Sequence, residues 1–460
     1  MGTKKDKVFR VKRQVERNSR LTQKETDRSK KIQINNEVSL RELHFRINSE
    51  RSILENEKNN LLKELHDIRM IDIEPSTNLI KIPGNFSFCN NYDECFPIIR
   101  EFASAIYHHM GEQIILDFSN CKNSDTPALF MLQVIRLEIL EMIKQIQVKL
   151  RYHHLIPQIT IRRSQSKNVS RLLTVTGFIP KEPSSNTNDD SNLEPIDDLG
   201  YLKGSKPQKH YAENKKAPYT KKVVEYINEC LLKHGYCFGI EGVNMFEGIV
   251  GEVLSNAEDH SIYPNWYITA NFSQEDFNAG PNFKVGEVNL TILNFGLSMY
   301  DAFYSTKDDN DVMFSSVENF VSEMLENHPK SKFSSENIFT MALLQDQVSR
   351  LKFADESRGT GTIKFINSFL DLGDFANKER GYTPNLSIFT GKTHISCDNT
   401  CKPFLKHGLY CLALNVEQDL KVPPDKAYLK QLNQAFPGTL ISVKIYLNKA
   451  HLDRKYAPKS

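Results

Sequence analysis

Between Lys181 and Pro218 the chain carries Ser, Asn, Asp, Lys and Pro and few large apolar side chains, and this break constrains the fold more than any other feature. A segment of that composition buries too little apolar surface to offset the entropy of ordering it. It reads as a linker between two parts that fold on their own cores. The length of 460 residues leaves room for two or three domains, and 39% apolar with 25% charged residues is globular composition. No apolar run approaches the roughly 18–20 residues of a membrane helix, and the polar, basic N-terminus lacks the apolar core of a secretory signal. Eight scattered cysteines without a dense framework fit a reducing compartment, so the expectation is a cytoplasmic protein with no membrane span.

The expected organisation is a disordered basic arm over 1–36, a helix over 37–72, a domain over 73–180, the linker over 181–218, a larger domain over 219–450 and a tail over 451–460. Residues 1–31 hold 12 Lys and Arg against 4 Asp and Glu. Such an arm can neutralise nucleic-acid phosphates, although a solvated tail has the same composition. From Glu37 to Met70, Leu40, Ile47, Leu54, Leu61 and Ile68 recur with a seven-residue period. The second seam fails, because Glu50, Glu57 and Glu64 follow Leu43. This predicts an amphipathic helix lying on a domain, or a weak dimer contact, rather than a long independent coiled coil.

From Asn78 to Pro180 strands alternate with helices: strands at Asn78–Pro83, Gln113–Asp117 and Ile156–Arg162, helices at Phe96–His109, Thr126–Lys144 and Asn168–Thr176. That alternation predicts an α/β layer. The run Ile114-Ile115-Leu116-Asp117-Phe118-Ser119-Asn120-Cys121, followed by Asp125-Thr126-Pro127-Ala128-Leu129, resembles the STAS domains of bacterial anti-sigma-factor antagonists. The family's phosphoaccepting Ser falls at Pro127, which has no hydroxyl. Thr126 is then the neighbouring candidate for modification.

Beyond the break, helical periodicity covers Lys221–His234 and Val243–His260. Within the second, Glu252 stands four residues before Asn256, and His260 lies one turn further along the same face. An apolar strand, Val288–Leu293, runs into Asn294-Phe295-Gly296. Arg358-Gly359-Thr360-Gly361-Thr362 opens another apolar helix, and strands close the domain at Asn385–Thr390 and, after Phe436-Pro437-Gly438-Thr439, at Leu440–Leu447.

In that order, these motifs resemble the GHKL ATPases, which include gyrase B subunits, heat-shock chaperones, mismatch-repair ATPases, histidine kinases and anti-sigma-factor kinases. The resemblance covers roughly Tyr219 to Leu447. It implies an α+β sandwich of the Bergerat type behind a smaller STAS-like domain, with ATP and Mg²⁺ as cofactors. Asn256 would ligate Mg²⁺ and Glu252 would orient water or a substrate hydroxyl. Gly359 and Gly361 would let the backbone approach phosphates at a helix N-terminus, with Arg358 beside them. His260 matches a position where related kinases often carry His, and Thr439 matches a Thr that contacts adenine. Asn294 stands where the family has Asp accepting from the adenine amino group, with Gly296 two residues on. The motif position two residues after Gly296, often Gly in the family, is Ser298. An uncharged acceptor beside a donor weakens or relaxes base selection. The region from Leu297 to Ser357 reads as a lid with its own helix at Glu336–Arg350, and Arg350, Lys352 and Arg358 are cations able to meet a γ-phosphate.

His394, Cys397, Cys401 and His407 lie close in sequence and offer zinc-compatible ligands, with spacing looser than the usual paired cysteines. The functional expectation is an ATP-binding signalling protein that hydrolyses ATP slowly or switches on binding it. The alternatives are a Ser/Thr kinase of the anti-sigma-factor type acting on another chain, and a nucleotide sensor or nucleic-acid-associated factor using residues 1–31. A protein partner is expected, and since many relatives of the resembled family dimerise, a homodimer is an open alternative to a monomer.

Overall fold

The computed structural model describes residues 69–72, 77–152, 154–179, 197–205, 216–233, 238–260, 265–276, 284–348, 361–372 and 383–448, with isolated residues before position 77. Arg350, Lys352, Arg358, Gly359, the tail, and the basic arm apart from Gln23 lie outside them.

The chain is mixed α/β. The first part contains β1 (Leu79–Lys81), β2 (Asn85–Phe86), α1 (Phe88–His108), β3 (Gln113–Asp117), β4 (Asn123–Ser124), α2 (Thr126–Leu150), β5 (Gln158–Arg162) and α3 (Lys167–Val175). Strands β1, β3 and β5 form a parallel sheet in that order, and β2 pairs with β4. Because each parallel step moves the same way, right-handed crossovers leave α1 and α2 on one face.

Both helices start where short polar side chains satisfy first-turn amides. Ser87 accepts from the Asn90 amide at 3.2 Å, and Asp125 accepts from the Ala128 amide at 3.0 Å. The Ser87 cap moves the start of α1 to Phe88, ahead of the expected Phe96. Asp125 also accepts from the Ser87 hydroxyl at 2.6 Å and the Cys89 amide at 3.0 Å, so one carboxylate ties the two helix starts together. Asp125→Ala should therefore cost about 2–4 kcal/mol, more than an ordinary cap, because the nearly buried Ser87 hydroxyl loses its acceptor as well. A urea midpoint equal to wild type would contradict this.

The second part contains β6 (Asp197–Ser205), α4 (Lys216–Lys233), α5 (Ile240–His260), β7 (Asn265–Asp276), β8 (Lys284–Phe295), α6 (Met299–Tyr304), α7 (Asp311–Asn327), α8 (Ser335–Ala342), α9 (Gly361–Leu372), β9 (Asn385–Cys397), β10 (Phe404–Lys406), β11 (Leu409–Cys411) and β12 (Leu429–Asn448). An antiparallel sheet runs β6-β7-β8-β12-β9, and β10 pairs with β11.

The expected linker over 181–218 is corrected here: residues 197–205 are an edge strand and 216–218 already belong to α4. An edge strand pairs on one side only, so it tolerates Asp and Gly that an inner strand would not. Averaged over the whole break, the short Leu199–Lys203 stretch carried too little apolar signal. In the lid, α8 ends at Ala342 because the Gln345 side chain donates to Met341 O and Leu412 O, each at 2.9 Å, and accepts from the Leu412 amide at 2.9 Å. That crosslink holds a turn where the expectation had helix continuing to Arg350.

Alternation along the strands builds two cores. On β8, Val288, Leu290 and Ile292 face α4, α5 and α9, while Leu293 and Phe295 face the side covered by α1 and α2. The layers are thus the parallel sheet, α1 with α2, the antiparallel sheet, and α4 with α5 and α9. Aromatic rings fill the middle junction: Phe88 lies 5.7 Å and Tyr92 5.9 Å from Phe389, and Phe88 lies 6.2 Å from Phe436. At the rim, Asp93 accepts from the Asn433 amide at 3.0 Å and its side chain at 2.9 Å. Glu138 accepts from Tyr201 at 2.8 Å and Lys203 at 2.7 Å, so β6 also takes part in the junction.

The described residues between 42 and 53 are helical, Ile47 and Leu65 are buried in the first core, and Glu50 pairs with Lys149 at 3.6 Å. Among the described residues no helix is long and apolar enough to cross a membrane.

Candidate functional site

Strand register brings four residues into one row at an end of the antiparallel sheet. Asn294 on β8 pairs with Trp266 on β7 and Thr439 on β12, and Thr439 pairs with Thr390 on β9. One row inward stand Ile268, Ile292, Ile441 and Ile388, and beyond them Ala270, Leu290, Val443 and Leu386. These apolar residues belong to the core under α4, α5 and α9. Since Asn294, Thr439 and Thr390 are two residues along their own strands, they point to that same face. An apolar surface thus gives way to carboxamide and hydroxyls at the rim.

The three polar side chains are buried. Thr390 and Thr439 share a hydrogen bond at 3.1 Å, and the Met299 amide, at the start of α6, donates to the Thr390 hydroxyl at 2.8 Å. Asn294 is 2% exposed, and its Nδ2 has no partner among the described residues. A buried amide donor left unmade costs about 1–3 kcal/mol, so such a group in a folded core marks a place where a further partner is expected.

Gly296 and Gly438 hold this end together, with φ of +132° and +125°. The Gly296 amide donates to Pro437 O at 3.4 Å, and a Cβ on residue 438 would collide with the Asn294 carbonyl oxygen. Asn-Phe-Gly and Pro-Gly-Thr therefore meet backbone to backbone. Ser298 is a helix cap: it accepts from the Asp301 amide at 3.0 Å and donates to the Asp301 carboxylate at 2.7 Å. Behind Thr390, Glu336 accepts from the Lys392 amide at 2.6 Å, and burial raises its carboxyl above the ordinary value.

Helix α5 runs toward this end. Only residues 261–264 separate His260 from β7, whose second residue, Trp266, belongs to the row. Fully extended, that connection spans at most about 18 Å. Glu252 is half-buried on α5 next to Val253 and Leu254, which enter the core. The side chains of Asn256 and His260 lie outside the described residues. Gly361 opens α9, which packs on α5, β9 and β12 through Ile363, Phe365 and Ile366. The structure thus makes Asn294, Gly296 and Thr439 neighbours and sets the helices bearing Glu252, Asn256, His260 and Gly361 side by side. Thr390 and Met299 were missed, because only strand pairing and the start of α6 bring them to the row.

Two further candidates change their reading. Thr126 is buried in the first turn of α2, so it is not an accessible acceptor for modification. His394 stacks on Phe389 at 4.1 Å, in the junction with α1, whereas Cys397 and Cys401 belong to the opposite core. His407 sits in the β10–β11 turn with φ +52°. Burial pushes the Cys401 thiol up to about 12, so it stays protonated at neutral pH. Among the described residues no group of three His, Cys, Asp or Glu converges as a metal site.

Burial, with Lys430 nearby, pushes the His394 imidazole down to about 3. The unfolded chain then binds the extra proton first, so this contribution to stability is intact above the ordinary His value of about 6.5 and declines as pH falls toward about 3. Between pH 7 and 5 the wild type should lose up to about 1.4 kcal/mol per pH unit more than His394→Leu. Parallel urea titrations with equal slopes would contradict this.

No family model, curated protein or solved structure matches the chain.

Proposed function

We propose that residues 219–450 form an ATP-binding regulatory domain of the GHKL type, joined to a STAS-like layer by the aromatic junction. The observation that carries this reading is the buried row Asn294–Thr439–Thr390, with its unpartnered amide, at the sheet end toward which α5 brings Glu252 and Asn256. The row suits the polar edge of a planar base, and the glycine pair keeps its two central members adjacent. Bound ATP supplies a transferable phosphoryl group whose charge Mg²⁺ neutralises. Within the chain, Asn256 would hold the metal through its side-chain oxygen, Glu252 would orient water or a hydroxyl, and the N-terminus of α9 at Gly361 would attract the phosphates.

The test is ADP formation from Mg-ATP by the full chain, beside Glu252→Ala and Asn256→Ala. Turnover should fall by about 10²-fold or more in Glu252→Ala, with ATP binding retained. Asn256→Ala should lose the Mg²⁺ dependence of binding. ATP binding without turnover in the wild type would make the domain a nucleotide-gated switch, and absence of nucleotide binding would sink the reading.

The burial of Thr126 and the lack of a hydroxyl at Pro127 favour a second reading, in which the phosphoryl acceptor is another chain. Label from γ-³²P-ATP that enters a partner and not this chain would support it.

A further inference from the structure

Asn294 differs from a carboxylate in a way the row makes consequential. A carboxylate offers acceptors alone, whereas a carboxamide sets an acceptor beside a donor. Here the donor is the atom left over, since Nδ2 is buried without a partner among the described residues. Thr390 does not supply the complement, because it stands two strands away across β12, where its hydroxyl meets the Met299 amide and Thr439. Trp266 and Thr439 flank Asn294 on β7 and β12; the Trp266 ring lies over Gly204 on β6, and the Thr439 hydroxyl is a rotor that donates or accepts.

Resting on the nucleotide reading, we propose that Asn294 makes a two-point contact with a base edge carrying a donor next to an acceptor, so that the site takes guanine as well as adenine. With adenine, the exocyclic N6–H donates to Oδ1 and Nδ2 donates to the adjacent ring nitrogen. With guanine, the amide turned by half a rotation donates from Nδ2 to O6 and accepts from N1–H at Oδ1. Each arrangement satisfies the buried nitrogen, and the Thr439 hydroxyl reorients to suit either.

The experiment is equilibrium binding of ATP, GTP, purine riboside 5′-triphosphate and tripolyphosphate to the full chain and to Asn294→Leu. Purine riboside triphosphate retains the ring nitrogens and lacks the exocyclic group. The wild type should bind ATP and GTP within about tenfold of each other, and purine riboside triphosphate about tenfold more weakly than ATP, the worth of one lost hydrogen bond. Asn294→Leu should bind the three nucleotides alike. GTP a hundredfold weaker than ATP, or a variant that keeps the wild-type preference, overturns the proposal. The wild-type comparison stands even if the variant fails to fold. Tripolyphosphate binding as tightly as ATP, or no nucleotide binding at all, overturns the nucleotide reading itself, and the two failures are thereby told apart.

Discussion

Phe389→Ala should lower the stability of the chain by about 3–5 kcal/mol, the cost of deleting a fully buried aromatic ring. The side chain is 0% exposed, lies within 6.3 Å of Phe88, Tyr92 and Phe436, and carries His394 on its face. With Phe436 on β12, it joins the sheet to Phe88 and Tyr92 of α1. The loss should therefore appear in both parts at once, as faster amide exchange in α1 and in β9. Phe389→Leu keeps most of the volume and should cost about 1–2 kcal/mol. If Phe389→Ala unfolds within about 1 kcal/mol of wild type, the aromatic cluster does not hold the layers together. The consequence is that the parallel-sheet layer, docked through such a core, is not a freely dissociating partner. A signal that separates it from the sheet has to overcome burial of core magnitude.

Gly438→Val should be comparably damaging, by about 3–5 kcal/mol, for a different reason. The residue has φ of +125°, where a β-branched side chain is strained, and its Cβ would meet the Asn294 carbonyl oxygen. Gly408 is the matching control: its φ is +83°, but a Cβ there meets nothing within 4 Å. Gly408→Val should cost only about 1–3 kcal/mol, the strain of the dihedral without the collision. Thermal melts of the two variants separate strain from collision. If they fall equally, the close approach of the two loops is not what matters. Because the collision falls on Asn294, the proposed nucleotide site should be disturbed more by the Gly438 variant than by the Phe389 variant.

The parts of this architecture that show in the sequence are those determined within one segment. The apolar runs Gln113–Asp117, Asn385–Thr390 and Leu440–Leu447 are strands, and Asp125 before Thr126-Pro127 marks a helix start. Strand β7 was missed because both of its faces are buried: Tyr267 and Thr269 interrupt the expected alternation of Trp266, Ile268 and Ala270. Helices α6 and α7 were absorbed into a single lid, since α6 is only six residues long and packs on β9, while α7 packs on α8 rather than on the sheet.

For the candidate site the division is sharper. The order of motifs that resembles the GHKL ATPases singled out Asn294, Gly296 and Thr439, each lying at the end of an apolar run, while Gly438 stood in the run beside Thr439 without a role assigned to it. Their adjacency is a matter of register, which pairs residues 145 positions apart with one-residue accuracy. A shift of one residue would turn Asn294 toward α1 and bring Leu293 under α5.

The sequence by itself determined the chemistry available at each strand end and the element type of the strongly patterned segments, because these depend on side chains a few residues apart. Only the tertiary structure decided that the break contains an edge strand, that α1 and α2 cover the second face of the sheet, that Thr126 is buried, and that Thr390 completes the polar row. Each of those follows from long-range pairing and burial, whose energy is spread over residues that no local window contains together.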